Sequence, residues 1–425
     1  FEFAPGLAFA FEVEPLGMLF ALLASFLWLI TTIYTIGYLR ANGGPHQARF
    51  LICFALALAS AIGVAFAGNM LTLFFFYEAL TLCTYPLVAH SGTEAARQGG
   101  KRYLAILLST SILLQLLAIL WTWVATGTLD FRTGGILAGA VSEPIMAILL
   151  VLYVFGVGKA ALMPFHGWLP AAMVAPAPVS ALLHAVAVVK AGVFTIAKLG
   201  IYIFGLDALR DFASSEWLLY IAGATILIAS LIALRQDNLK RRLAYSTVSQ
   251  LSYVVIGVAI ANAHAVMGAT MHIAMHGFAK ITLFFCAGAI MTATRKTEIS
   301  QLDGIGRTMP MTMTAFAIGS FALIGLPPFS GAWSKYYLAL GALDDGYYAV
   351  LAVLLISSLL NTLYFMPIVI RAFFPAGGAV QPAASGIAEA PVPMLIAISI
   401  TALGSVALFA YPQFLFNLLA PLVGL

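Results

Sequence analysis

Runs of apolar residues long enough to cross about 30 Å of hydrocarbon recur twelve times in this chain, near 17–39, 49–68, 69–90, 103–126, 144–173, 177–205, 217–234, 242–262, 263–290, 310–341, 347–371 and 392–417. In lipid every backbone N–H and C=O must be bonded internally, so segments of this length are helices. Only 8% of the residues are charged, against roughly 25% in soluble domains. Residues 1–425 therefore read as one all-α integral membrane domain. The first residue is Phe1, which suggests an upstream segment. Cys53, Cys83 and Cys286 all fall in apolar runs and offer no disulfide framework.

Assigning the loops alternately to two sides sorts the charge. One side collects Arg40, Arg49, Arg97, Lys101, Arg102, Arg235, Lys240, Arg241, Arg242, Arg295, Lys296, Arg307 and Arg371, and the other holds only Arg132 and Arg210. A missed or extra span would scramble so strong a bias, and the basic side is cytoplasmic. Acids lean outward, with Glu12, Glu14, Asp130, Glu143, Asp344 and Asp345 among them.

Five basic residues remain inside the spans: Lys159, Lys190, Lys198, Lys280 and Lys335, with Glu78 as the one deep acid. A lysine at mid-bilayer costs about 2.5–3.5 kcal/mol, so five facing lipid would cost on the order of 12–17 kcal/mol, as much as a whole fold is worth. Most of them face a protein-lined or hydrated interior. Lys198, near the outer end of its helix, is expected to snorkel into water. Glu78 is expected to pair with Lys159 or Lys190: contact holds a lysine charged and separation lets it release its proton. A static pair that fixes packing is the alternative.

"MHIAMHGFAK" places His272, His276 and Lys280 on one stripe of a helix at i, i+4 and i+8. Titratable groups so aligned suit proton hopping; satisfied structural histidines are the alternative. His-x-x-x-His without an adjacent Glu is a weak zinc signal, so no metal is expected, nor any cofactor. His184 and His166 are secondary candidates. Two segments, "GKAALMPFHGW" and "GLPPFSGAWSK", break their spans with Pro164 and Gly167 in one and Pro327, Pro328 and Gly331 in the other. Proline frees a carbonyl one turn earlier, and such backbone is tolerated at membrane depth only where protein or water satisfies it. Both breaks therefore imply polar cavities. They lie in the fifth and tenth spans, which cross in opposite directions, as inverted repeats would; the units would be 49–206 and 217–371, with 392–417 as an additional helix.

These segments, together with "FFFYEALTLCTYPL", "DNLKRRLAYSTVSQLSY" and "HGFAKITLFFCAGAI", resemble the antiporter-like subunits shared by respiratory complex I, membrane-bound hydrogenases and Mrp-type multisubunit antiporters, over roughly residues 17–415. The wording is most similar to the D-type member of the Mrp antiporters. The resemblance implies a fourteen-helix fold, of which two N-terminal helices are absent here, with two inverted five-helix repeats and a central charged row that moves protons. It makes Glu78 the glutamate of that row, Lys159 its partner, Lys190 the lysine of the following helix, Lys280 with His276 the bridge between repeats, and Lys335 the terminal proton site. It also implies a subunit without separate catalysis, working with other membrane subunits in a prokaryotic inner membrane. The first expectation is sodium (or another monovalent cation)/proton antiport; the alternative is a proton-pumping subunit of a complex I-like or hydrogenase-linked redox complex. Nothing suggests nucleic-acid binding.

The charge sorting is directly testable. In a background lacking the three native cysteines, a cysteine at Arg97 should react with an impermeant maleimide only from the cytoplasmic side, and one at Arg132 only from the other. The reverse pattern would overturn the topology.

Overall fold

The computed structural model describes residues 2–4, 7–44, 46–211, 215–374 and 386–424. Ten of its helices are long and apolar enough to cross a membrane: Pro15–Asn42, Gln47–Ala65, Met70–Val88, Glu94–Thr126, Ala177–Phe204, Trp217–Leu234, Leu239–Ile260, Ala263–Thr294, Tyr348–Phe373 and Val392–Ala410. The two remaining spans are the interrupted ones. The fifth is helical over Glu143–Gly156 and then breaks into short turns. The tenth divides into Pro310–Ile324 and Gly331–Asp344. The twelve expected spans are thus present, in the expected order. The last differs in extent from the expected 392–417: the helix stops at Ala410, and after Tyr411 and Pro412 a separate helix runs over Gln413–Val423.

The tight turns between spans are set by capping side chains. Asn69 accepts a hydrogen bond from Thr72 N (2.8 Å), Asn238 from Arg241 N (3.1 Å) and Asn262 from Ala265 N (2.8 Å), each satisfying a first-turn N–H left without a helical partner. At the other end of the seventh span, buried Arg242 donates to Leu234 O, Gln236 O and Tyr364 O. A cation there meets the carbonyl end of the helix dipole.

Burial divides the spans into two classes. The most apolar stretches of the sixth, eighth and ninth spans are 100%, 94% and 94% buried, whereas those of the other continuous spans lie between 33% and 56%. Three helices form the centre and the rest surround them. The central three carry Lys190, His184, Gln250, His272, His276 and Lys280, all buried. The polar spans are central because lipid rejects their side chains.

Lys198 departs from its expected place. Its head reaches the outer level but not water: it is 1% exposed, lies 3.1 Å from Glu14 Oε1 and donates to Ala67 O at 2.6 Å. Glu14 in turn caps the first span through Gly17 N and accepts from the Tyr202 hydroxyl. A buried acceptor and a capping carboxylate compensate the ammonium better than snorkelling does, because the N-terminal segment, through Glu12 N to Phe66 O and Gly68 N to Ala10 O, covers this end of the helix. Removing one member of a buried pair costs about 3–5 kcal/mol. Lys198→Ala should therefore lower the melting temperature clearly, and Lys198→Met with Glu14→Gln should recover much of the loss. An unchanged melting temperature in Lys198→Ala would restore the snorkelling account.

Candidate functional site

The first break is built around Lys159. Its amide N donates to the Tyr77 hydroxyl at 3.1 Å, Met163 N donates to Thr225 Oγ1 at 3.3 Å, and Trp168 Nε1 donates to Gly158 O at 3.0 Å. Tyr77 and Thr225 from neighbouring spans, and Trp168 from the same one, thus satisfy backbone that a continuous helix would have satisfied itself. Gly192 brings the sixth span against the Lys159–Ala160 backbone, where a Cβ would collide. The Lys159 ammonium is fully buried, donates to Tyr77 O and Thr81 Oγ1 at 2.6 Å each, and lies 3.1 Å from the Tyr77 ring centroid.

Glu78 does not close an ion pair with either lysine. Both of its carboxylate oxygens are buried without a hydrogen-bond partner, and the side chain lines a groove of about 510 Å³ with Leu71, Phe74, Phe75 and Leu82. It follows Tyr77, whose carbonyl and ring hold Lys159, in the same helix. The expected contact is replaced by proximity: Lys159 sits within electrostatic reach of Glu78 but is bonded to neutral groups. Lys190 is likewise engaged elsewhere.

The Lys190 Nζ lies 2.7 Å from His276 Nδ1, joining the sixth span to the ninth. His276 stacks on His272, with ring centroids 5.5 Å apart, and His272 Nδ1 lies 2.9 Å from Ser334 Oγ in the second half of the tenth span. Lys280, a turn further along the same helix, donates to Leu243 O at 3.0 Å. His184 occupies a π-helical turn, Leu182–Val186, with its ring 4.5 Å from that of Phe284 and both nitrogens unbonded. The stripe read from the sequence therefore joins the sixth span to the eighth and to the second half of the tenth.

At the second break, Lys335 Nζ donates to Leu323 O (2.8 Å), Ile324 O (2.9 Å) and Ser358 Oγ (3.0 Å), and Asn361 Nδ2 also donates to Leu323 O. The lysine caps the carbonyls that the break frees. Gly325 turns the chain there at φ +91°, and the stem of Lys335 passes where a Cβ would lie, so only glycine suits the position. The two lysines are not placed alike: Lys159 lies within its break, Lys335 one turn beyond. His166 belongs to neither cluster. It lies in a cavity of about 340 Å³ with Pro164, Arg102, Arg241 and Tyr245, at the level of the basic loops.

Tyr77, Thr81, Tyr253 and Ser358 escaped the sequence reading. Hydroxyl side chains in apolar helices are common, and only their position against a lysine distinguishes these four. Among the described residues, no group of three or more His, Cys, Asp or Glu could hold a metal ion.

The family described as "NADH:quinone oxidoreductase/Mrp antiporter, TM" matches residues 67–361. NADH-quinone oxidoreductase subunit N of Desulforudis audaxviator is 34% identical over 409 residues, covering 93% of this chain and 81% of that protein. NAD(P)H-quinone oxidoreductase chain 5 of Synechocystis is 31% identical over 348 residues, 77% of this chain and 49% of that one, so the chain spans about half of the latter's length. Among solved structures, a chain of the Mrp complex from Dietzia sp. has a TM-score of 0.86 at 22% identity, covering 99% of this chain and 85% of that chain. One in the membrane-bound sulfane sulfur reductase, an archaeal respiratory membrane complex, has a TM-score of 0.84 at 24% identity, covering 98% and 83%.

The bond between Lys190 and His276 gives a specific expectation. Residues sharing one interaction are non-additive when replaced, so Lys190→Met with His276→Phe should impair transport no more than the worse single variant. Losses that multiply would mean that the two act separately.

Proposed function

The chain belongs to the membrane family shared by NADH:quinone oxidoreductases and Mrp antiporters, and from that premise we propose that it carries protons along a buried row running from Glu78 and Lys159 through Lys190, His276 and His272 to Lys335. It is a multi-pass antiporter-like membrane subunit. The observation that carries the proposal is the Lys190–His276–His272–Ser334 chain of contacts, which links the sixth span, packed through Gly192 on the first break, to the second half of the interrupted tenth span through the most buried part of the protein. Lys280 and His184 flank this link. Lys190, Lys280 and Lys335 rest on neutral acceptors, so each can give up its proton without leaving an uncompensated carboxylate beside it.

A redox-driven complex is the better-supported setting. A quinone oxidoreductase subunit is alike in sequence over 93% of this chain, whereas the likeness to the Mrp complex lies in the fold. Coordination chemistry agrees. Transporters bind sodium through oxygens, typically the carbonyls of unwound helices, and here the Lys335 ammonium occupies those of Leu323 and Ile324. Sodium/proton antiport, the first expectation from the sequence, is therefore the second reading. The opposed directions of the two interrupted spans support inverted repeats at 49–206 and 217–371.

Partner membrane subunits complete the assembly. Leu326, Pro327 and Pro328 are exposed in the second break, and irregular backbone at membrane depth requires a protein or aqueous neighbour. The bacterial relatives support a prokaryotic inner membrane.

Everted vesicles containing the whole complex, followed by acridine-orange quenching, test the reading. An electron donor should acidify wild-type vesicles, Glu78→Ala and Lys159→Ala should abolish the response with assembly intact, and a sodium pulse should leave the gradient unchanged. Sodium-driven dequenching that disappears in Glu78→Ala would establish antiport instead. Normal acidification in both variants would remove the row from the pathway.

A further inference from the structure

Between His272 and Lys335 the row has no direct bond, and one side chain fills the interval. The Tyr253 ring lies parallel to the His272 ring at 5.4 Å between centroids, and the Lys335 Nζ lies 5.2 Å from the same ring. Ser357, Ser358 and Gln250 surround the Tyr253 hydroxyl. Ser358 Oγ is also the group to which Lys335 Nζ donates, at 3.0 Å. One tyrosine is thus in contact with both proton carriers and shares a neighbour with the second.

The hydrogen bonds around His272 leave one direction open. Ser334 Oγ lies 2.9 Å from His272 Nδ1 and 3.2 Å from Gly331 O. The route through Ser334 ends on a carbonyl that has no proton to pass on. His272 Nε2, the other ring nitrogen, is buried and makes no hydrogen bond. The Tyr253 hydroxyl, both atoms of the Gln250 amide and Ser357 Oγ are also buried and make no direct hydrogen bond. Buried polar atoms in such numbers are ordinarily satisfied by ordered water, and these lie along the interval rather than at random in the core.

We propose that Tyr253 is the relay between His272 and Lys335, its hydroxyl passing protons between the imidazole Nε2 and the lysine amine by way of Ser358. The proposal rests on the proton-carrying row argued above and adds to it the residue that closes its gap. In the forward step, the N–H bond at His272 Nε2 breaks as its proton passes, through an ordered water bridging the two unbonded atoms, to the Tyr253 oxygen. The tyrosine O–H bond breaks in the same event, and its proton moves through the Ser358 hydroxyl to the neutral Lys335 amine. Tyrosine and serine are neutral before and after. Imidazolium becomes imidazole and amine becomes ammonium, so charge and atoms balance without a co-reactant.

Tyr253→Phe keeps the ring and its stacking but removes the relayed proton. In the assembled complex in everted vesicles, it should lower proton translocation at least about a hundredfold, the lower edge of what a positioned proton-transfer group contributes, with assembly and melting temperature unchanged. Normal translocation in Tyr253→Phe, with Lys335→Ala inactive, would overturn the relay and leave the row standing. Normal translocation in both would overturn the row and the relay together. Replacing Tyr253 by 3-fluorotyrosine, which preserves shape but acidifies the phenol, gives a readout that packing does not move: the pH profile of translocation should shift. An unshifted profile would overturn the relay even if Tyr253→Phe failed to assemble.

Discussion

An ammonium group inside a bilayer must find an acceptor within the protein, and the arrangement of this molecule follows from how five lysines do so. Lys159 takes a carbonyl, a hydroxyl and an aromatic face. Lys190 takes an imidazole, Lys280 a helix carbonyl and Lys335 the carbonyls released by a break. Only Lys198 takes a carboxylate, at the outer edge of the bundle. The distinction separates roles. A buried ion pair holds its charge and suits a clasp, whereas a lysine on neutral acceptors can exist with or without its proton. The four so placed are those on or beside the proposed row.

The helix breaks serve the same requirement from the other side. A continuous helix has no spare carbonyls at mid-membrane, and each interruption supplies some at a cost that side chains must meet. Trp168, Tyr77 and Thr225 meet it at the first break; Lys335 and Asn361 meet it at the second. Backbone and lysine therefore satisfy one another. At the cytoplasmic ends, charge has an ordinary structural use: Arg371 grips Asp303 through Nε at 2.7 Å, and the guanidinium holds that exposed carboxyl below its usual range. Such surface pairs are worth about 0–1 kcal/mol.

Much of this was legible in the sequence because depth is encoded there. Twelve apolar runs, the asymmetry of Arg and Lys between loops, and the prolines at Pro164 and Pro327 locate each residue along the membrane normal. Direction around a helix is harder to read. The sequence points Glu78 at Lys159, yet the lysine's bonds go to Tyr77, one residue earlier, and to Thr81. Lys198 lies near a helix end, where snorkelling is the ordinary outcome, and only the fold of residues 7–13 over that end reveals the pair with Glu14. Tyr253 and Ser358 carry no signal of their own; they matter because the eighth and eleventh spans bring them to Lys335. The spans that prove central are the ones carrying Lys190, Gln250 and His276, which would not tolerate lipid.

The central claim is that the row is continuous through the buried centre, and a map of the assembled complex in a lipid nanodisc, sharp enough to show ordered water, tests it most directly. The account predicts water bonded to His272 Nε2, to the Gln250 amide and to the Tyr253 hydroxyl, completing a path from the Lys190–His276 contact to Lys335. Those same atoms packed dry against apolar side chains, with no water between His272 and Lys335, would contradict it.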